Sequence, residues 1–280
     1  MSGGLFTRPP LGDVIRQYGL DADRRLGQHF LLDPNLTRKI ARAAGDLHAC
    51  TVIEIGPGPG GLTRALLDAG AKRVVAIELD PRCVVALEGL VRESDGRLTV
   101  LEGDALTTEL AGLAPPPWRI VANLPYNVST ALLLKWLHSE NKPEEMVLMF
   151  QKEVAARLSA KPRTKAYGRL SILAQWLMEI TPLFDIGPKA FVPPPKVSST
   201  VLRFHLRGSP LAPADIAFLS RVTRAAFGQR RKMLRASLRG LGVETADLLA
   251  EAGVLPTARA EELSVEEFCA LARALAKQAA

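Results

Sequence analysis

The 280-residue sequence predicts an α/β fold, a mostly parallel sheet with helices on both faces, followed by a small all-α C-terminal domain. Three observations carry that prediction. From about residue 51, short β-branched runs alternate with amphipathic stretches of helical length, the pattern of parallel strands joined by crossover helices. A glycine-rich turn, Gly56-Pro57-Gly58-Pro59-Gly60-Gly61, joins the first run to the stretch after it. Beyond Gly208, Pro210 and Pro213 no strand-like run remains.

Taken in order, residues 1–50 read as a helical arm leading into the sheet. TVIEI (51–55), RVVAI (73–77), LTVL (98–101), RIVA (119–122) and EMVLMF (145–150) are short and rich in apolar and β-branched residues, and read as buried strands. The segments near 62–69, 81–92, 129–139 and 151–159 read as the helices between them. A helix over 168–178 precedes STVLRFHL (199–206), whose alternation suits one strand of an antiparallel edge pair. The punctuation at 208–213 separates a sheet domain, 51–207, from a helical domain, 208–280.

Composition removes several function classes. No apolar run approaches the roughly 20 residues of a membrane span, and MSGGLFTRPP is too polar for a secretory signal. Cys50, Cys83 and Cys269 form no CxxC, which favours a reducing, cytoplasmic setting. The four histidines show no metal-ligand spacing, so no metal site is expected. The net charge is +7, and the stretch 221–239 holds seven Arg and Lys and no acid, equal to the whole excess. Charge focused on one segment is the footprint of a phosphate-binding surface, with Arg230, Arg231 and Lys232 as candidate RNA contacts.

Ligands of open α/β sheets sit at the carboxyl ends of the strands, where the remaining candidates fall. Gly56 and Gly58 let the backbone turn and approach a ligand closely. Glu78 ends the second strand, 22 residues after Gly56, and suits a pair of ribose hydroxyls. Asp104, beside Ala105 in Gly103-Asp104-Ala105, can accept from an exocyclic adenine amine. The fourth strand runs into Asn123-Leu124-Pro125-Tyr126. The order EIGPGPG, IELD, GDA, NLPY resembles the class I, Rossmann-like methyltransferases, and NLPY resembles those that methylate amino groups conjugated to a π system. That resemblance implies S-adenosyl-L-methionine as cofactor.

An amine conjugated to a purine is a poor nucleophile, because its lone pair is delocalised into the ring. Two acceptors on its protons favour a pyramidal nitrogen and aim the lone pair. Asn123 offers a side-chain carbonyl, and the main chain near Leu124-Pro125 a second oxygen whose direction Pro125 fixes. Tyr126 can stack on an extruded base. No strong base is required, so catalysis is chiefly positioning and electrostatics.

Further segments narrow the resemblance. Gly27-Gln28-His29-Phe30-Leu31-Leu32-Asp33, Phe150-Gln151-Lys152-Glu153, Tyr167-Gly168-Arg169, Phe191-Val192-Pro193-Pro194-Pro195-Lys196-Val197 and Phe227-Gly228-Gln229-Arg230-Arg231-Lys232 look like motifs of the small-subunit (16S) rRNA adenine N6,N6-dimethyltransferase family. The resemblance implies dimethylation of two adjacent adenosines in a hairpin loop near the 3′ end of that rRNA. The setting it implies is a monomer acting in the cytoplasm on the maturing 30S subunit, with neither DNA nor membrane as partner. It also implies cofactor contacts from His29, from Leu31 through its backbone, and from Gly56, Gly58, Glu78, Asp104, Ala105 and Asn123. Residues 208–280 become an rRNA-binding domain, and Phe191 either faces the target base opposite Tyr126 or is a core aromatic. His29 stands where the family more often has Asn, and Ser198 where Asp is frequent.

Three other readings share part of this pattern. A large-subunit rRNA adenine methyltransferase of the resistance type has NLPY-like and FxPxPKV-like motifs, but GQHFLLD and FGQRRK argue against it. A DNA adenine methyltransferase usually shows NPPY or DPPY. A non-catalytic assembly factor would not need Asn123 and Glu78.

Overall fold

The computed structural model of the chain describes residues 8–20, 27–110 and 112–279. The arm expected over 1–50 is helical in part: α1 (Leu11–Tyr18) and α2 (Pro34–Ala43) flank a two-residue strand, β1 (Phe30–Leu31). Residues 1–7 and 21–26 of the arm lie outside the described residues.

The sheet follows as expected, in the order β2 (Thr51–Ile55), α3 (Gly61–Asp68), β3 (Arg73–Glu78), α4 (Pro81–Glu93), β4 (Leu98–Glu102), β5 (Trp118–Asn123), α5 (Ser129–His138), β6 (Glu145–Gln151) and α6 (Lys152–Leu158). Several strands run one residue past their apolar core, so Glu78 and Asn123 are the last residues of β3 and β5. Burial at every position of β2 explains its unbroken apolar run, since a parallel strand is covered on both faces. Helix α4 begins where Asp80 caps the Arg82 amide at 3.1 Å and Pro81 supplies a preset φ.

The remaining elements are α7 (Arg169–Leu177), β7 (Met178–Ile186), β8 (Phe191–Val192), β9 (Ser199–Leu206), α8 (Ile216–Gly228), α9 (Leu234–Ser237), α10 (Thr245–Glu251) and α11 (Val265–Gln278). The seven-stranded sheet has the order β4-β3-β2-β5-β6-β9-β7. Strands β2 to β6 pair in parallel, and the order reverses between β2 and β5. That reversal opens a crevice at the carboxyl ends of these two neighbours.

Strand β7 was not among the expected elements. It forms the sheet edge with β9: the Arg207 amide donates to the Leu177 carbonyl at 3.0 Å, and the Thr200 hydroxyl to Asp185 at 2.7 Å. One residue number falls as the other rises, so the pair is antiparallel, as expected for 199–206. A separate small sheet pairs β1 with β8 in antiparallel register, Phe30 opposite Val192 and Leu31 opposite Phe191. It brings GQHFLLD and FVPPPKV together.

The chain divides into two compact units, 1–132 with 143–151 and 183–203, and 133–142 with 152–182 and 204–280. The second unit does not follow the division at 207/208, because α7 packs with the C-terminal helices. Trp176 donates through Nε1 to the Ala212 carbonyl at 2.8 Å, and Tyr167, Phe227 and Phe268 form a chain of rings 6.2 and 5.7 Å apart. Within the first unit one core joins α2, α3 and α4 to the sheet through Ile40, Leu66, Leu87, Val52 and Val121, all nearly inaccessible to solvent.

Candidate active site

One cavity at the carboxyl ends of β2, β3, β4 and β5 gathers the expected cofactor residues His29, Leu31, Gly56, Gly58, Glu78, Asp104, Ala105 and Asn123, with Leu124, Pro125 and Tyr126. Phe191 is not among its lining residues.

The glycine turn shapes one wall. Gly58 has φ +55°, a conformation that side chains with a Cβ rarely adopt, and its amide donates to Glu78 Oε2 at 2.9 Å. A Cβ on Gly61, the first residue of α3, would meet the Leu31 carbonyl oxygen at 2.8 Å, so β1 can pass only over a glycine. Glu78 Oε1 accepts the Asp80 amide at 2.9 Å. Each Glu78 oxygen therefore holds a main-chain N–H, which fixes the carboxylate in place to accept from hydroxyls. Burial pushes the Glu78 carboxyl above its usual range, and the hydrogen bonds from Asp80 and Gly58 oppose that shift.

Asp104 uses Oδ1 to accept the Leu106 amide at 2.8 Å, which leaves Oδ2 for an amine donor. Leu79 and Leu106, 50% and 36% exposed, line the same cavity. Neither was expected at the site. Exposed large apolar side chains beside two strand-tip acids suit the faces of a flat ring whose edge is polar. The signal available was an apolar residue directly after Glu78 and after Ala105.

Behind Gln28, Asp80 ties the N-terminal segment to α4. It accepts Gln28 Nε2 at 3.2 Å and pairs with Arg82 at 2.7 Å, and the Arg82 guanidinium holds its carboxyl below the ordinary range. The segment is thus anchored on both sides of the cavity, by Asp80 and by the β1–β8 pair.

At the tip of β5, Asn123 Nδ2 donates to the main-chain oxygen of His29 at 3.0 Å. A carbonyl can only accept, so the amide nitrogen must face His29, and Oδ1 remains the free acceptor. Of the two carbonyls of Leu124-Pro125, only one is open as the second acceptor. The Pro125 carbonyl takes the amides of Val128 and Ser129 at 3.2 and 3.0 Å to start α5. Among the described residues no hydrogen bond engages the Leu124 carbonyl, which leaves it as the partner of Asn123 Oδ1.

The Tyr126 hydroxyl meets Ser199 Oγ at 2.5 Å, a contact not foreseen from sequence. His29 turns its ring Nδ1 to the Pro193 carbonyl at 2.8 Å; because that carbonyl only accepts, Nδ1 carries the proton. The His29 ring lies 5.2 Å from Tyr126 and 6.5 Å, edge-on, from Phe191. Of the two readings of Phe191 the structure favours the core aromatic over the one facing the base: Phe191 is 2% exposed, held in the core by its pairing with Leu31, and His29 is the ring beside Tyr126.

The basic stretch spans more than one element: α8 ends at Gly228, a turn carries Arg230 and Arg231, and α9 starts at Leu234. Arg230 has the acid that the local sequence lacks. Its Nε donates to Glu261 at 2.8 Å, while Nη1 and Nη2 reach the carbonyls of Lys165 and Thr164 at 2.9 and 3.2 Å. Arg231 and Lys232 are exposed.

The cavity fits an S-adenosyl nucleoside on its own chemistry: acceptors for two hydroxyls at Glu78 and for an amine at Asp104, apolar faces at Leu79 and Leu106, and, among the described residues, no Lys or Arg in the lining to oppose a cation.

Comparison with known proteins agrees. Residues 19–277 match the family described as ribosomal RNA adenine dimethylase. A ribosomal RNA small subunit methyltransferase A from Paramagnetospirillum magneticum is 60% identical over 267 residues, covering 95% of this chain and 95% of that protein. The protein of that name from Rhodospirillum rubrum is also 60% identical, covering 95% of this chain and 92% of its own. Among solved structures, a dimethyladenosine transferase from Plasmodium falciparum superposes with a TM-score of 0.78 at 27% identity, covering 90% of this chain and 98% of that one. The 23S rRNA methyltransferase ErmE gives 0.66 at 28%, covering 88% and 99%. With a match spanning nearly its full length and relatives at this level of identity, the chain belongs to the ribosomal RNA adenine dimethylase family.

Proposed function

We propose that the chain transfers methyl groups from S-adenosyl-L-methionine to N6 of two adjacent adenosines in small-subunit rRNA, giving N6,N6-dimethyladenosines. It acts as a monomer in the cytoplasm on the maturing 30S subunit. The observation that carries the reaction is the pair of acceptors at the tip of β5, Asn123 Oδ1 and the Leu124 carbonyl. The small-subunit substrate is supported by relatives of that name at 60% identity, against 28% for the 23S rRNA methyltransferase. No helix among the described residues is long and apolar enough to cross a membrane.

The bound cofactor supplies an electrophilic methyl group. Asn123 Oδ1 and the Leu124 carbonyl accept hydrogen bonds from the two N6–H groups of an unstacked adenine and turn its lone pair out of conjugation. Tyr126, its hydroxyl fixed by Ser199, offers a ring on which the base stacks, a contact worth about 1–3 kcal/mol. After the first transfer a single N–H remains, and one acceptor suffices to orient it for the second. Pre-set acceptors need no rearrangement as charge develops on nitrogen.

Residues 208–280 carry the rRNA-binding surface, with Arg231 and Lys232 facing solvent and Arg230 shaping the turn that presents them. Labelled methyl transfer tests the whole reading, with undermethylated small subunits as substrate and large subunits and DNA as controls. Mass mapping should find N6,N6-dimethyladenosine at two adjacent positions of small-subunit rRNA. Label confined to large subunits would overturn the substrate, and no label in any arm would overturn the activity.

A further inference from the structure

Arg169, the first residue of α7, and Arg224, near the end of α8, take no part in the mechanism above. Helices α7 and α8 pack on each other, and the edge-on rings of Tyr167 and Phe227, 6.2 Å apart, fix the start of one against the last turn of the other. Arg224 stands three positions before Phe227, on the same face of α8, and its charge acts on Arg169. Burial, and after it that charge, hold the Arg169 guanidinium below its ordinary range. Among the described residues neither guanidinium has a hydrogen-bond or ion-pair partner, and Arg169 Nε is enclosed without one. Two positive groups held together, one with an unmet donor, cost stability unless an anion completes them. The acids at 261, 262 and 267 are already engaged, by Arg230 and by the amides of Arg259 and Ser264. The loop before α7 adds to the charge, since residues 161–169 hold Lys161, Arg163, Lys165 and Arg169 and no acid. Arg230 grips that loop by the carbonyls of Thr164 and Lys165, and the Glu261 carbonyl takes the Arg163 amide at 2.7 Å. The side chains of Lys161, Arg163 and Lys165 are left exposed.

We propose that Arg169 and Arg224 clamp one backbone phosphate of rRNA, and that the loop over 161–165 extends the RNA surface from that point. The inference rests on the rRNA reading above and carries part of the binding surface outside residues 208–280. The oxygens of a phosphodiester accept from two guanidinium forks at once, in charge-assisted bonds stronger than neutral groups make. The negative charge also relieves the repulsion between the two arginines. A polyanion suits the site better than a single small anion, because positive side chains continue along both segments that meet here. Helix α8 leads from Arg224 directly into the turn that presents Arg231 and Lys232, and Arg169 follows the loop of Lys161 and Lys165. Contacts of this kind position an RNA and read no sequence.

Binding of undermethylated small subunits to the full chain, measured across a salt series, tests the clamp. Arg224→Gln should weaken binding about 3- to 10-fold and flatten the slope of log K against log salt by up to about one. Arg169→Lys keeps the charge but loses the planar fork, and should weaken binding by a smaller factor. The two changes together should lose less than the product of their separate factors, because they serve one phosphate. The Tm of free Arg224→Gln should not fall, since the change removes a repulsion, and its cofactor Kd should match that of wild type. Lys277→Gln removes an equal charge from an exposed lysine paired with Glu251, and should bind subunits as wild type does. Wild-type affinity in Arg224→Gln, an equal loss in Lys277→Gln, or fully multiplicative losses in the double variant each overturns the clamp. Arg224→Gln decides alone if the Arg169 variants fail to fold. Absence of small-subunit binding by the wild-type chain instead overturns the rRNA reading beneath it.

Discussion

The side-chain amide of Asn123 and the main-chain oxygen of His29 are 3.0 Å apart, and that contact decides what Asn123 can do. With Nδ2 committed to His29, Oδ1 is the only end left for an incoming amine. The replacement of the family's usual Asn by histidine at position 29 leaves this bond intact, because it is made by the backbone. Asn123→Ala removes the acceptor without touching the core. Turnover of undermethylated small subunits should fall by about 10²- to 10³-fold, the scale for loss of one pre-oriented hydrogen-bonding group. Thermal stability should shift little, and cofactor affinity should fall far less than turnover. Asn123→Asp should also be nearly inactive, since it turns an anion towards the His29 carbonyl. Unchanged methylated product from the Ala variant in single-turnover assays would sink the mechanism.

Tyr126 and Ser199 form the second relationship at this site, 2.5 Å apart and 73 positions distant in sequence. If Ser199 serves to fix the plane of the Tyr126 ring, Ser199→Ala and Tyr126→Phe break one bond from either end. Each should lower kcat/KM by up to about 10-fold, in line with a net 0.5–1.5 kcal/mol for a hydrogen bond. The double variant should be no worse than the poorer single one. Additive losses in that cycle would show that the two hydroxyls act separately.

Much of this was readable in sequence, for a local reason. Strands β2, β3 and β5 are apolar runs bounded by turn residues, and Glu78, Asp104 and Asn123 declare themselves as the polar residues that end or follow such runs. Strand β7 did not, because Glu179, Pro182 and Asp185 interrupt its pattern; an edge strand with one free side tolerates them. The β1–β8 pair was hidden because two-residue strands leave no periodicity. Its partners lie some 160 positions apart, so nothing local could decide between the two readings of Phe191. The partner of Arg230 is 31 residues away, beyond any local count of charge.

The contact between Gly61 and Leu31 predicts a cofactor defect from a residue at the helix start. A Cβ there would stand 2.8 Å from the Leu31 carbonyl oxygen and 3.0 Å from Leu11 Cδ1. Gly61→Ala must push β1 away from the cavity. Overpacking of this kind destabilises by about 1–3 kcal/mol, and the displaced segment carries His29 and Leu31. Cofactor Kd should rise at least about 10-fold in equilibrium titration. Gly89→Ala, where a Cβ meets nothing within 4 Å, should leave it unchanged.

Arg230 and its neighbours should separate by readout. Arg230→Glu opposes Glu261 and abandons two carbonyls, so its main effect should be a lower Tm. Arg231→Glu with Lys232→Glu should leave Tm within about 2 °C, a surface effect. That pair should weaken small-subunit binding and flatten its dependence on salt, because phosphate contacts release counterions. Equal loss of Tm in both variants, with subunit binding untouched in the second, would remove Arg231 and Lys232 from the interface.

The buried carboxyl of Glu54 also sets a pH dependence of stability. Its folded value, about 8, lies above the ordinary 4.5, so between these limits the folded chain holds a proton that the unfolded chain has lost. Stability contributed by this group is therefore fully present below about pH 4.5, declines as pH rises, and is exhausted above about 8. Glu78, shifted in the same direction by burial, adds to the decline, whereas Asp80, shifted downward by Arg82, changes stability only in acid. Urea unfolding of the cofactor-free chain at pH 5, 6.5 and 8 should show the wild type losing more stability than Glu54→Gln across the series. Parallel pH curves for the two proteins would mean that Glu54 is already ionised in the folded chain.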